Sequence, residues 1–114
     1  MSDLSEMICN LTQLEKLYLD NNQLTDVKGL EKLTKLTWLR LDYNKLTDVK
    51  GVEKLTKLTW LDLHKNQLTD VKGLEKLTQL ELMEVQENPA LTKAQIDELK
   101  KALPSCKIHS NPTK

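Results

Sequence analysis

The side chains of this chain that could do chemistry are few: His64 and His109, Cys9 and Cys106, a single arginine, Arg40, and carboxylates that recur at a fixed interval. Asp20, Asp42 and His64 are 22 residues apart (42 − 20 = 64 − 42 = 22). If the chain stacks with that period, the three share one column, and their types suit a divalent cation. A column spacing of ~5 Å with full exposure describes a solvated cluster instead, so no metal is expected there. Nucleophilic catalysis fails on placement. Neither cysteine can approach His64, and His109 sits beside Cys106 near the terminus without an evident pocket. Gly29, Gly51 and Gly73 are isolated, once per interval, and build no phosphate-cradling loop. Carboxylate pairs occur only as exposed neighbours, without the cleft that glycoside hydrolysis needs. These residues point away from an enzyme and imply no cofactor.

The elements that must position these groups follow from length and repetition. A chain of 114 residues has room for one domain. Its 17 basic and 17 acidic residues cancel, which argues against nucleic acid and against an anionic membrane as partner. No window approaches the ~20 apolar residues of a membrane span, and residues 1–10 carry neither a basic region nor an apolar run. A cytoplasmic protein is the expectation, with a secreted parent left open. All the glycines precede residue 74 and all the prolines (Pro89, Pro104, Pro112) follow residue 88, so the composition changes in the eighties.

The glycines recur every 22 residues, as do Trp38 and Trp60 (60 − 38 = 22). Three full units follow, LTQLEKLYLDNNQLTDVKGLEK (11–32), LTKLTWLRLDYNKLTDVKGVEK (33–54) and LTKLTWLDLHKNQLTDVKGLEK (55–76). A fourth, in 77–91, keeps only the first half, LTQLELMEVQEN. Self-similarity at a short fixed period means a stacked array. Each unit contains LxxLxLxxNxL, as in Leu36, Leu39, Leu41, Asn44 and Leu46. On these residues the chain resembles the leucine-rich-repeat family, in the 22-residue internalin-like and phosphatase-regulator class, over roughly 11–91. The fold class expected is α/β: a right-handed leucine-rich-repeat solenoid with a parallel concave sheet and short 3-10 turns on the convex side. Asp26, Asp48 and Asp70 are placed to cap those turns. Asn22, Asn44, Asn66 and Asn88 are expected to form a buried amide ladder serving backbone groups.

A C-terminal cap spans 92–114. Thr92 with Gln95 forms the outline of a capping box, and Ile96, Leu99 and Leu103 make an apolar helical stripe that Pro104 ends. The segment 106–108 is expected to add a last short strand, and this tail resembles caps that follow bacterial leucine-rich repeats. At the other end, 1–10 reads as a thin N-terminal cap with Asp3 and Glu6 in a second capping box. Several strand spacings separate Cys9 from Cys106, so buried free thiols are expected and no bridge.

Side chains alternating with the strand leucines must leave the opposite face of the sheet. They form columns: Lys16, Trp38, Trp60 and Leu82; Tyr18, Arg40, Asp62 and Glu84; Asp20, Asp42, His64 and Gln86, edged by Tyr43 and Lys65. Units two and three differ at only five positions, Arg40/Asp62, Asp42/His64, Tyr43/Lys65, Lys45/Gln67 and Val52/Leu74, and four of these lie in or beside the columns. Every aromatic residue falls there, and so does Arg40. Trp, Tyr and Arg most often carry binding energy at interfaces. The expectation is a protein- or peptide-binding module whose contacts are Lys16, Tyr18, Asp20, Trp38, Arg40, Asp42, Tyr43, Trp60, Asp62, His64, Lys65 and Glu84. The alternative is a designed or structural repeat scaffold without an evolved ligand, in which the Trp pair stabilises the sheet or joins two copies. Monomer or weak homo-oligomer is the corresponding expectation for assembly.

Overall fold

The computed structural model describes residues 11–111. Five short strands, β1 (Lys16–Tyr18), β2 (Trp38–Arg40), β3 (Trp60–Asp62), β4 (Leu82–Glu84) and β5 (Lys107–His109), form one parallel sheet in sequence order. Between β1 and β4 the register equals the repeat, so Trp38 faces Trp60 and Arg40 faces Asp62. β5 pairs Lys107 with Leu82, 25 residues apart (107 − 82 = 25), because the capping helix α1 (Lys93–Ala102) replaces the usual return segment. The fold is a leucine-rich-repeat solenoid. No helix among the described residues is long and apolar enough to cross a membrane.

Each coil closes around leucine. Leu36, Leu39, Leu41 and Leu46 are completely buried, as are Leu58, Leu61, Leu63 and Leu68 one unit later. The period-2 alternation that buries Leu39 and Leu41 sends residues 38, 40 and 42 to the other face. The return passes through a 3-10 turn in each full unit: Leu30–Lys32, Val52–Lys54 and Leu74–Lys76. Twenty-two residues leave no room for more than one such turn on that side.

The expected amide ladder forms at Asn44, Asn66 and Asn88, whereas Asn22 is only half-buried and its Nδ2 donates locally to the Asp20 carbonyl. Asn44 Oδ1 accepts from the backbone N–H of Leu24 at 2.9 Å, and its Nδ2 donates to the Leu19 and Leu41 carbonyls at 3.0 and 2.9 Å. Asn66 and Asn88 repeat this one coil further on. From the second coil on, one amide per coil therefore stitches each loop to the preceding coil, where the backbone has left the sheet and lost its ladder partners.

The aspartates act differently from expectation. Asp26, Asp48 and Asp70 accept from the backbone N–H of Lys28, Lys50 and Lys72, two residues on, and so brace the bend before the 3-10 turn. The turns themselves start at glycine without a side-chain cap. The glycine N–H donates to the glutamate two residues later, as from Gly51 to Glu53 Oε1 at 2.8 Å. Gly51 and Gly73 have φ of +104°, where a side chain is strained.

At the C-terminus, Thr92 and Gln95 make the reciprocal capping box, and Ile96, Leu99 and Leu103 close the last coil. Cys106 is half-buried where a buried thiol was expected, since Pro104 and Ser105 leave the chain at the surface just before β5. Burial still pushes its thiol pKa up. Cys9 and the expected capping box at Asp3 and Glu6 lie outside the described residues.

Candidate functional site on the strand-lined face

The columns are built by register. Lys16, Trp38, Trp60, Leu82 and Lys107 occupy equivalent positions on successive strands, as do Tyr18, Arg40, Asp62, Glu84 and His109. Trp38 and Trp60 stack with ring centroids 4.3 Å apart and planes 15° from parallel. Lys16 Nζ lies 5.5 Å from the Trp38 centroid and closes that end of the stack with a cation. The indole N–H of Trp38 is buried with no acceptor among the described residues.

In the next columns, side chains two residues apart on one strand share a face and pair along it. Arg40 grips Asp42 with two hydrogen bonds, Nε to Oδ1 at 3.0 Å and Nη2 to Oδ2 at 2.8 Å, and lies 3.7 Å from Asp20. The hydrogen bond to Asp42 holds the guanidinium charged well above its usual range. Its plane also covers Tyr18, with Cζ 5.9 Å from the ring. One strand further, His64 Nδ1 lies 2.6 Å from Asp62 Oδ1, and the His64 backbone N–H donates to the same oxygen at 3.1 Å. Burial raises the Asp62 carboxyl above the usual aspartate range; the two His64 hydrogen bonds oppose that shift and nearby Asp42 adds to it.

Asp42 and Asp62 are therefore not the exposed carboxylates expected from the strand pattern: Asp42 is fully buried and Asp62 is 4% exposed. Arg40 and His64 fold over them, which alternation alone does not convey. The potential cation ligands also regroup. Asp42, Asp62 and His64 bring ligand atoms within 4.8 Å of one another, whereas Asp20 turns to Arg40. Two carboxylates and an imidazole suit a divalent ion by type, but one carboxylate is held by Arg40 and the other by His64.

Tyr43 and Lys65 follow the strands in the left-handed region, with φ of 58° and 60°. This conformation turns the chain off the sheet and lifts both side chains to the rim. The Tyr43 ring meets His64 edge-on at 5.2 Å, Lys65 Nζ lies 5.6 Å from the Tyr43 centroid, and Lys65 pairs with Glu87 at 3.1 Å. The hydrogen bond to Glu87 raises the Lys65 pKa. All twelve residues expected to make contacts thus lie in one patch, linked through Lys16–Trp38–Trp60, Tyr18–Arg40–Asp42 and Asp62–His64–Tyr43–Lys65. Asp20 joins through Arg40 and Glu84 through its register with Asp62.

Sequence reasoning left out Lys107 and His109, which extend both columns onto β5; His109 Nδ1 lies 4.0 Å from Glu84. The signal was present in the short strand expected at 106–108, but its outward residues were not carried into the columns.

The model for leucine-rich repeats (2 copies) matches residues 12–55 and 34–76. Among curated proteins no match is found. Solved structures that resemble the chain include an internalin, inlF, of Listeria monocytogenes, at 30% identity and a TM-score of 0.88 over 100% of this chain. The leucine-rich-repeat protein LIC12759 of Leptospira interrogans follows at 33% identity and 0.84 over 95% of the chain. Internalin C2 of Listeria monocytogenes is similar at 25% identity and 0.81 over 100%. The chain spans only 34%, 28% and 51% of those three proteins. With its repeats, its amide ladder and this match over more than half its length, the chain belongs to the leucine-rich-repeat family.

Proposed function

We propose that the chain is a protein- or peptide-binding module that uses the strand-lined face around Trp38 and Trp60. Leucine-rich-repeat domains generally mediate protein–protein interactions and are typically not enzymes, which supports the coarser part of this reading. The observation that carries the finer part is the concentration of Trp38, Trp60, Tyr18, Tyr43 and Arg40 in one patch while the TDVKG block stays invariant across the three full units.

The stacked indoles favour one rival. A scaffold with no evolved ligand would keep such a pair for cross-strand packing alone, or would self-associate through it. Selecting random displayed peptides on the parent and on the Trp38→Ala/Trp60→Ala variant separates the two. Binding predicts peptides retained by the parent and lost by a variant that still folds. Retention of the same peptides by the variant, or of none by the parent, overturns the proposal.

A further inference from the structure

We propose that the face takes an arginine or lysine of a partner peptide at the Asp62–Glu84 step, its alkyl stem lying along Trp60 and Leu82. This deepens the binding reading above and rests on it.

Asp62 and Glu84 stand directly opposite each other on β3 and β4. Like charges in that relationship oppose one another. Arg40, next in the column, is committed to Asp42 and Asp20. Among the described residues no lysine or arginine forms a salt bridge with Asp62 or Glu84; their basic contacts are the imidazoles of His64 and His109. Lys107, across from Leu82, makes no such bridge either. Gln86 donates its amide to Glu84 at 2.8 Å and leaves its own Oε1 buried without a donor among the described residues. The step is thus rich in acceptors and short of donors. Asp62 is screened little by water, and Glu84, with its side chain 22% exposed, offers the accessible contact.

The neighbouring column supplies an independent argument. The indole stack already accepts a lysine at its β1 end, where Lys16 covers Trp38. At its β3 end Trp60 is followed by Leu82. A long basic side chain matches that arrangement, its methylenes on an apolar ledge and its charge at the carboxylates one column over. An acidic segment would meet repulsion at the same place. An apolar side chain adjacent to the basic one would fill the remaining ledge.

The test sequences the peptides retained by the full chain and measures their affinity for an Asp62→Asn/Glu84→Gln variant, with Glu84→Gln alone as a milder second variant. The expected result is enrichment of arginine or lysine beside an apolar residue. Affinity should fall roughly tenfold or more on the neutralised variant and again when the basic residue of the peptide becomes glutamine. Peptides that depend on Trp38 and Trp60 but lack a basic residue, or bind the neutralised variants equally, overturn this inference and leave the binding reading standing. Absence of any Trp-dependent peptide overturns both.

Discussion

Trp38 and Trp60 sit directly across from each other on neighbouring parallel strands and stack at 4.3 Å between centroids. The pair is both the largest apolar feature of the face and a cross-strand clamp, and the two roles separate in energy. A double-mutant cycle with alanine at each position should give a favourable coupling of about 0.5–1.5 kcal/mol in urea unfolding. Both single variants should keep the far-ultraviolet circular dichroism of the parent. Zero coupling would show that the rings stabilise the sheet independently and that the stack is incidental.

The asparagine ladder carries a larger share of stability than its polar character suggests. Replacing Asn66 with alanine orphans the Leu46 N–H, while the Leu41 and Leu63 carbonyls lose one donor each but keep the amides of Asn44 and Asn88. One buried orphan costs ~1–3 kcal/mol, so a loss in that range is expected by urea unfolding. Gln67→Ala, on the exposed neighbour, should stay within ~0.5 kcal/mol of the parent.

The two inner glycines should not tolerate alanine equally. Both sit at φ of +104°, but a Cβ at Gly73 would lie 3.2 Å from the Glu53 Cβ, while at Gly51 the nearest atom is the Glu31 Oε1 at 3.5 Å. Backbone strain costs ~1–3 kcal/mol at either position. Gly73→Ala should be the more damaging because a carboxylate oxygen can swing aside and a Cβ cannot. Thermal melts of the two variants check the order.

Asp62 makes a prediction in pH. Its folded carboxyl is raised chiefly by burial, so the folded state binds its proton more tightly than the unfolded chain. Stability from this group is then greatest below the unfolded aspartate pKa and declines as pH rises through the folded one. Asp62→Asn removes that decline. The stability of the variant minus that of the parent should therefore grow between acidic and neutral pH, measured by urea unfolding at several values. Arg40, Asp42, His64 and Glu84 face the same carboxylate and are present in both proteins. A difference that shrinks with rising pH would mean the His64 contact outweighs burial.

Much of this architecture is legible in the sequence. The 22-residue recurrence of Gly51 and Gly73 fixed the period, the LxL leucines the strands, and Thr92 with Gln95 the start of the last helix. The columns followed from alternation, which is a property of the backbone. What alternation cannot convey is how neighbouring side chains lean. Arg40 bending onto Asp42, and His64 onto Asp62, buried two carboxylates expected in water. The convex aspartates show the same limit. Asp48 was matched to the nearest turn by residue type, yet its short side chain reaches only the N–H two residues on, and Glu53 serves the glycine instead.

The central claim is that ligands dock on the strand-lined face, and the indole N–H resonances of Trp38 and Trp60 report on it directly. The protein contains only these two tryptophans, both on that face. In a titration of nitrogen-labelled protein with a selected peptide, both indole signals should shift and saturate together with the backbone amides of Arg40, Asp62 and Glu84. Shifts confined to the convex row of Glu31, Glu53 and Glu75, with the indole signals unmoved at saturation, would contradict the account.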